Sequence, residues 1–308
     1  MNLNEFNKVL VIVSTKGRNY KTIYNLLSDK LNNILDRNKY EIKLTQDKDS
    51  VTKFSTDFSN KYNNSLIIIA GGDGSLNETV NAIGCNSSIS ILLIPNGTGN
   101  DFARYIYNNN SYAYIINKLD NVDIDKVDLL KINDKLCVNI FSFGYDSIVL
   151  AKSLEIKEKF PILSKFSFML GIIFTFNKIK SYKYELNLNL DTKENIVLSK
   201  NLILTAICNG RFYGGGFNPA PFALLNDGVI DVNTIDYLNA FKLIKLLRLY
   251  KNENHVNNPV SNSYKVISGK ITSKDNSIII GEIDGNLYNC NEVEFNIIPN
   301  SLNLCTIK

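Results

Sequence analysis

The chain has 308 residues, 44% of them apolar, which is too long for one average domain and enough to bury two cores. Its net charge of +4 comes from dispersed lysines with no basic stripe interleaved with aromatics, which argues against nucleic acid as a partner and suits transient contact with an anionic membrane surface. One histidine and five scattered cysteines, Cys85, Cys137, Cys208, Cys290 and Cys305, argue against a Ser-His-Asp triad, a His-rich metal centre or a zinc site. The cysteines are expected reduced in the core, and His255, in the polar stretch NENHVNNP, is expected in a solvated loop.

In chain order, MNLNEFNKVLVIVS carries a single lysine before a strand-length apolar run, so it reads as a first strand rather than a secretory leader, and the protein is expected in the cytoplasm. Strand and helix patterns then alternate: strand Lys8–Ser14, helix Tyr20–Leu35, strand Tyr40–Thr45, strand Ser65–Ala70, helix Ser75–Ile83 and strand Ile89–Ile94. This alternation is that of an α/β unit.

Within it, the run Ala70–Ile83, AGGDGSLNETVNAI, sets three glycines around one carboxylate where a buried strand gives way to a helix. Gly71, Gly72 and Gly74 can take positive φ and let the backbone approach a ligand closely, and Ser75 is the expected helix cap. A phosphate is favoured there by the helix dipole, with a divalent cation or a hydroxyl donor standing between it and Asp73. Taken alone, the run fits a Gly-Asp-Gly turn without a ligand about equally well. A second run, Ile91–Arg104, ILLIPNGTGNDFAR, again breaks from an apolar strand into a glycine-bearing loop and a helix opening on Asp101. Ligands of open α/β sheets bind at the carboxyl ends of strands, so both loops are expected to face one crevice. Thr98 and Asn100 offer hydrogen bonds, Asp101 a second carboxylate and Arg104 a phosphate clamp. An ordinary N-cap at Asp101 and a solvated Arg104 form the bland alternative.

From about Leu129 the pattern becomes strand-like, Lys183–Leu190, Leu202–Cys208, Val229–Ile235, Ser277–Ile283 and Glu292–Ile298, which reads as an antiparallel sandwich, with Leu302–Ile307 a candidate to return to the first unit. The apolar stretch Phe160–Phe176 is interrupted by Lys165 and is shorter than the roughly 20 residues that span a bilayer, so a buried or cleft-lining helix is expected over a lipid-touching surface. In LLNDGVID an Asp-Gly turn sets Asp227 near the carbonyls of Leu224 and Val229, an oxygen-only arrangement suited to Mg²⁺ or Ca²⁺, and a plain turn fits as well.

GGDGSLNE followed about twenty residues later by PNGTGNDFAR resembles the catalytic domain of the diacylglycerol kinase family, lipid kinases that include bacterial diacylglycerol kinases and sphingosine kinases. GGDG alone is shared with NAD kinases and phosphofructokinases, and the second motif favours the lipid-kinase branch. VDLLKIN with Asp128, VNIFSFGYD, GGGFNPAPFALLNDGVIDV and IDGN extend the resemblance from about Lys8 to Ile298. It implies an α/β nucleotide-binding domain over 1–128, joined by 299–308, and a β-sandwich lipid-substrate domain over 129–298.

The resemblance also implies ATP-dependent phosphorylation of diacylglycerol or a similar lipid, with Mg²⁺. ATP would contact Lys16, Gly17, Thr45, the Gly71–Gly74 loop, Ser75, Asn77, Glu78, Thr98 and Asn100. Asp73, directly or through Asp101 and Asp128, would organise Mg²⁺, Arg104 would stabilise phosphate charge, and the lipid hydroxyl would enter between the domains near Asp284. Peripheral membrane association during turnover is expected, and a homodimer is compatible with this reading.

The chain departs from the family in three places. The first loop, Val13-Ser14-Thr15-Lys16-Gly17, keeps only the glycine of Asn-Pro-x-Ser-Gly, and Ser75 replaces a threonine. Asn286 stands where the family pattern Asp-Gly-Glu has a glutamate base, and an amide cannot take a proton. If the segment is extended, Glu282, Asp284 and Asn286 share a face, and Glu282 or Asp284 assists the proton. The competing expectation is a catalytically weak or inactive lipid- and nucleotide-binding relative.

Overall fold

Val9–Val13 is buried along its whole length, as a strand in the middle of a parallel sheet must be when helices cover both faces. The computed structural model describes residues 1–307, with the side chains of Lys165, Ala240, Phe241 and Ile244 outside the described set. Its first elements are β1 (Val9–Val13), α1 (Tyr20–Ile34), β2 (Tyr40–Leu44), α2 (Ser50–Lys61), β3 (Ser65–Gly71), α3 (Asp73–Ile83), β4 (Ile89–Pro95), α4 (Asp101–Ile106) and α5 (Tyr112–Asn117). Then come β5 (Asp123–Ile132), β6 (Lys135–Cys137), β7 (Ile140–Gly144), α6 (Tyr145–Lys159), α7 (Ser167–Thr175), β8 (Tyr182–Leu190) and β9 (Asn195–Cys208). The last are β10 (Ile230–Asp236), α8 (Ala240–Lys251), β11 (Ser261–Ser273), β12 (Ile279–Ile283), β13 (Asn286–Cys290) and β14 (Glu292–Thr306). The chain divides into two compact units, Met1–Asp128 with Pro299–Lys308, and Leu129–Ile298.

The first unit holds a parallel sheet in the order β2-β1-β3-β4-β14, the last strand joining through Asn303–Cys305. Every residue of β1, β3 and β4 is buried. The chain leaves β1 toward β2 and returns on the other side at β3, so the topological switch falls between β1 and β3. Helix α1 turns Ile23, Leu27 and Leu31 inward at four-residue spacing. Helix α2 has no expected counterpart in the sequence reading, because its buried face, Val51, Ser55 and Phe58, is interrupted by a serine. Helix α3 begins at Asp73, two residues ahead of expectation, with Gly72 as the cap. Ser75 therefore sits inside the first turn and does not cap it.

The second unit is antiparallel, ordered β13-β12-β7-β9-β10-β11-β14, with β8 pairing both β9 and β11. It is the expected sandwich, with Phe141, Phe143, Leu186, Leu188, Val232 and Ile271 in one core cluster. A second cluster draws on helices: Val149 of α6 with Leu243, Leu246 and Tyr250 of α8 pack with Ile203 and Ala206 of β9. The stretches Glu292–Ile298 and Leu302–Ile307, expected as two strands, form the single strand β14.

Three expectations fail here. Of the two alternatives for Phe160–Phe176, buried or cleft-lining, the first fails: its 3-10 turn, Pro161–Phe166, and α7 expose most of their large side chains, while α7 fully buries only Ser167, Gly171 and Thr175 and half-buries Phe168, Leu170 and Ile172. His255 is fully buried, stacked on Tyr250 with ring centroids 4.0 Å apart and Nε2 3.1 Å from the Pro219 carbonyl, and burial lowers its pKa. Cys85 is exposed and Cys290 half-buried, whereas Cys137, Cys208 and Cys305 lie in the core. Among the described residues no helix is long and apolar enough to cross a membrane.

Candidate active site

Three loops leave the carboxyl ends of adjacent strands β1, β3 and β4 in the first unit, and hydrogen bonds tie them together. The Ser14 N–H donates to the Ala70 carbonyl at 2.9 Å, the Asn96 N–H to the Gly71 carbonyl at 2.8 Å, and Asn96 Nδ2 to the Ser14 carbonyl at 3.2 Å. Asn96 is buried, and a Cβ on Gly17 would fall 2.1 Å from its Nδ2. Between the second and third loops the backbones themselves touch: a Cβ on Gly97 would lie 2.6 Å from Gly72 Cα. The glycines are thus required by close approach. None of Gly71, Gly72 and Gly74 has positive φ, contrary to the sequence reading.

Asp73 fastens the third loop to the second. Its Oδ2 accepts the Asp101 N–H at 3.1 Å and its Oδ1 the Phe102 N–H at 3.0 Å. Asn100 occupies the cap position of α4 but is left-handed (φ 52), and its amide turns back to Gly97, accepting that N–H at 2.8 Å and donating to that carbonyl at 3.0 Å. The cap of α4 therefore comes from Asp73 across the loops, and the Asn100 amide is spent on its own turn rather than offered outward as expected. Arg104 Nη2 reaches the Gly99 carbonyl at 3.4 Å and Asp101 Oδ1 at 4.0 Å, which holds the guanidinium over this loop.

The remaining candidates fall into two groups. Lys16 and Thr98 are exposed at the loops, and Gly74 and Ser75 lie half-buried in the first turn of α3, whose N–H groups have no intrahelical partner. Glu78 is half-buried; burial raises its pKa, which Lys16 opposes and Asp49 reinforces. Thr45 and Asn77 are turned to local partners instead: Thr45 Oγ1 accepts the Thr15 N–H at 3.0 Å, and Asn77 Oδ1 accepts from Asn81 Nδ2 at 3.2 Å. Asp128 is fully buried and accepts the Asn300 N–H at 2.7 Å, joining the two segments of its unit. Among the described residues no group of three or more His, Cys, Asp and Glu side chains could hold a metal ion, so Asp73, Asp101 and Asp128 do not form a protein-only metal centre.

In the second unit the expected extended run does not exist. Asp284 (φ 48) and Gly285 (φ 84) are the two turn residues of a hairpin in which Ile283 pairs with Asn286 and Glu282 with Leu287. Directly paired residues share a face, so Glu282 and Asn286 point to opposite faces of the hairpin. The Asp284 carboxylate is buried in a nest of backbone donors, accepting the Val138 N–H at 2.8 Å and those of Asn139 and Ile140 at 3.0 Å. It is placed to anchor the Cys137–Ile140 segment. Glu282 is buried and accepts from Ser142 Oγ at 3.0 Å, while Asn286 is exposed.

Behind Ser142 lies Asp146, which the sequence reading passed over. Burial pushes its carboxyl up to about 6, partly offset by hydrogen bonds with Ser142 and Tyr213. Its one signal in the sequence was a carboxylate two residues after the buried strand β7, in the first turn of α6. Asp227, the candidate cation ligand, is exposed, and its Oδ1 accepts the Val229 N–H at 3.1 Å, which makes the segment an Asx turn.

Comparison with known proteins agrees with this architecture. Residues 8–132 match the family described as "Diacylglycerol kinase catalytic domain", and residues 139–306 match "YegS C-terminal NAD kinase beta sandwich-like domain". A protein named "Putative lipid kinase" from Staphylococcus epidermidis is 26% identical over 275 residues, covering 86% of this chain and 85% of its own. A "Probable lipid kinase YegS-like" from Shewanella frigidimarina is 27% identical over 58% of this chain and 56% of its own. In fold, the chain is similar to "a putative diacylglycerol kinase from Bacillus anthracis" with a TM-score of 0.76, 21% identity and 98% of both chains covered. It is more distantly similar to "an NAD kinase from Archaeoglobus fulgidus in complex with ATP", with a TM-score of 0.51, 12% identity, and 97% of this chain and 93% of the other covered.

Proposed function

Because the chain belongs to the diacylglycerol kinase catalytic-domain family of lipid kinases, we propose that it transfers the γ-phosphate of ATP to the hydroxyl of diacylglycerol or a similar lipid. The observation that carries this reading is the meeting of three strand-end loops around Asp73, with glycine backbones packed against each other. Those residues fit a nucleotide phosphate: the first turn of α3 presents N–H groups, and Lys16, Thr98 and Arg104 add donors at the rim. They fit Mg²⁺ only as an ion shared with the nucleotide, through Asp73 and Asp101, as is usual for an ion that keeps its waters and phosphates. When bound, Mg²⁺ would neutralise charge on the transferred phosphoryl group. The chain's own part is to hold and orient: Asp73 fixes the third loop, and Arg104, steadied by Gly99 and Asp101, counters developing negative charge.

A second reading, a relative that binds nucleotide and lipid with little turnover, is favoured by Asn286 and by the backbone donors that occupy Asp284. Phosphoryl transfer draws most of its acceleration from positioning and charge, so loss of a base slows a kinase without necessarily silencing it. Incubation with radiolabelled ATP and, as acceptors, mixed lipids in detergent micelles and NAD distinguishes the readings. Label in lipid supports the kinase, nucleotide binding without transfer supports the second reading, and label in NAD would point to an NAD kinase instead.

A further inference from the structure

The face that α7 presents outward is the reverse of what an ordinary surface helix shows. The fully buried positions of the helix are the small residues Ser167, Gly171 and Thr175, while Phe168 and Ile172 are half-buried against the cluster that includes Tyr145 and Val149 of α6. The approach is close: Ser153 Oγ donates to Ser167 Oγ at 2.9 Å, and a Cβ on Gly171 would lie 2.7 Å from the Val149 carbonyl. Other large side chains, of α7 and of the 3-10 turn before it, are left outside. Ile162 is 88% exposed, Ile173 62%, Phe166 and Phe174 59% each, and Met169 53%. An apolar face of this kind in water is unfavourable unless something covers it.

Charge identifies the cover. Between Leu150 and Lys183 the sequence carries seven lysines against two glutamates, a net +5 that exceeds the +4 of the whole chain. These lysines lie within and on both sides of the apolar stretch in sequence, and two of them, Lys152 and Lys159, pair with Glu155. Such a pairing of apolar side chains with a lysine surround matches the interface of an anionic bilayer, where the former reach the acyl boundary and the latter the headgroups. The nine residues of α7 are too few to span a membrane and suffice to lie in its surface.

We infer that Pro161–Phe176 is the element by which this chain docks on an anionic lipid bilayer, inserting Ile162, Phe166, Met169, Ile173 and Phe174. The inference takes its purpose from the lipid-kinase reading, since a kinase of membrane lipids must reach them. Its test is independent of that reading. The full chain, without nucleotide, is sedimented with vesicles of phosphatidylcholine alone and of phosphatidylcholine with phosphatidylglycerol in equal parts.

Binding to the anionic vesicles, weakened by salt and at least about tenfold weaker in the double variant Ile173→Asp, Phe174→Asp, is the expected result. Both positions are exposed, so the variant should keep the thermal midpoint of the parent. Equal binding of parent and variant, or equal binding to neutral and anionic vesicles, would overturn the inference. So would a parent that self-associates in ultracentrifugation through this face, with the variant monomeric and vesicle binding unchanged. A chain that phosphorylates lipid in micelles yet ignores vesicles sinks the docking element alone. Vesicle binding without transfer leaves docking intact and sinks the kinase.

Discussion

Asp73 does two jobs in the proposed site, and substitution separates them. Replacing it by alanine removes both acceptors of the Asp101 and Phe102 N–H groups, bonds of 3.1 and 3.0 Å to an ionised group. Charge-assisted bonds contribute about 1.5–3 kcal/mol each, and because Asp73 is half-exposed, water recovers part of that. A net loss of about 2–3 kcal/mol follows, comparable to losing a strong helix cap. For a unit of this size that lowers the thermal midpoint by about 8–12 °C, at about 4 °C per kcal/mol. Asp73→Asn keeps one acceptor oxygen and should fall by roughly half as much.

Differential scanning calorimetry of parent, Asp73→Asn and Asp73→Ala measures this, with radiolabel transfer assayed well below all three midpoints. Transfer lost in Asp73→Asn while the protein is folded assigns the carboxylate to chemistry as well as to capping. A midpoint within about 2 °C of the parent in Asp73→Ala would refute the capping argument, since two lost charge-assisted bonds cannot be so cheap.

Gly97→Ala forces its Cβ to within 2.6 Å of Gly72 Cα, a clash of backbone against backbone that no side-chain rotation relieves, so ATP affinity measured by calorimetric titration should fall at least about tenfold. Asp284→Asn leaves the Val138, Asn139 and Ile140 N–H groups with too few acceptors and should cost about 3 kcal/mol in denaturant unfolding; unchanged stability with lost transfer would instead make Asp284 a base. Asn286→Glu, at an exposed position, should raise kcat for lipid phosphorylation by about tenfold or more if a missing base limits turnover, and no change would show that it does not. The Asp146 carboxyl, lifted by burial to about 6, binds its proton more tightly folded than unfolded. Its contribution is full below pH 4 and is lost as pH rises through about 6, so Asp146→Asn should flatten that part of the stability-versus-pH curve.

Much of the first unit was legible because its signals are local. A strand buried on both faces, such as Ser65–Gly71, must be apolar throughout, and a loop that packs backbone on backbone must be glycine. Helix α2 escaped because a serine replaces an apolar residue on its buried face, and the exposure of α7 escaped because its fully buried positions are small residues while Met169, Ile173 and Phe174 face outward. The hairpin at Asp284 escaped for a related reason: an Asp-Gly pair permits a two-residue turn, but only pairing of Ile283 with Asn286 establishes that it forms.

By itself, then, the order of residues determined the two-part architecture, the family and the pair of glycine-bearing loops, because each depends on periodicity or on residue types that nothing else can replace. Only the tertiary structure decided what the polar side chains are for. Asp73 caps a helix in the next loop, Asn100 closes its own turn, Asp284 anchors a backbone segment and His255 lies in the core. Spacing along the chain names the groups that could bind a ligand; which of them are already engaged depends on hydrogen bonds between residues far apart in sequence.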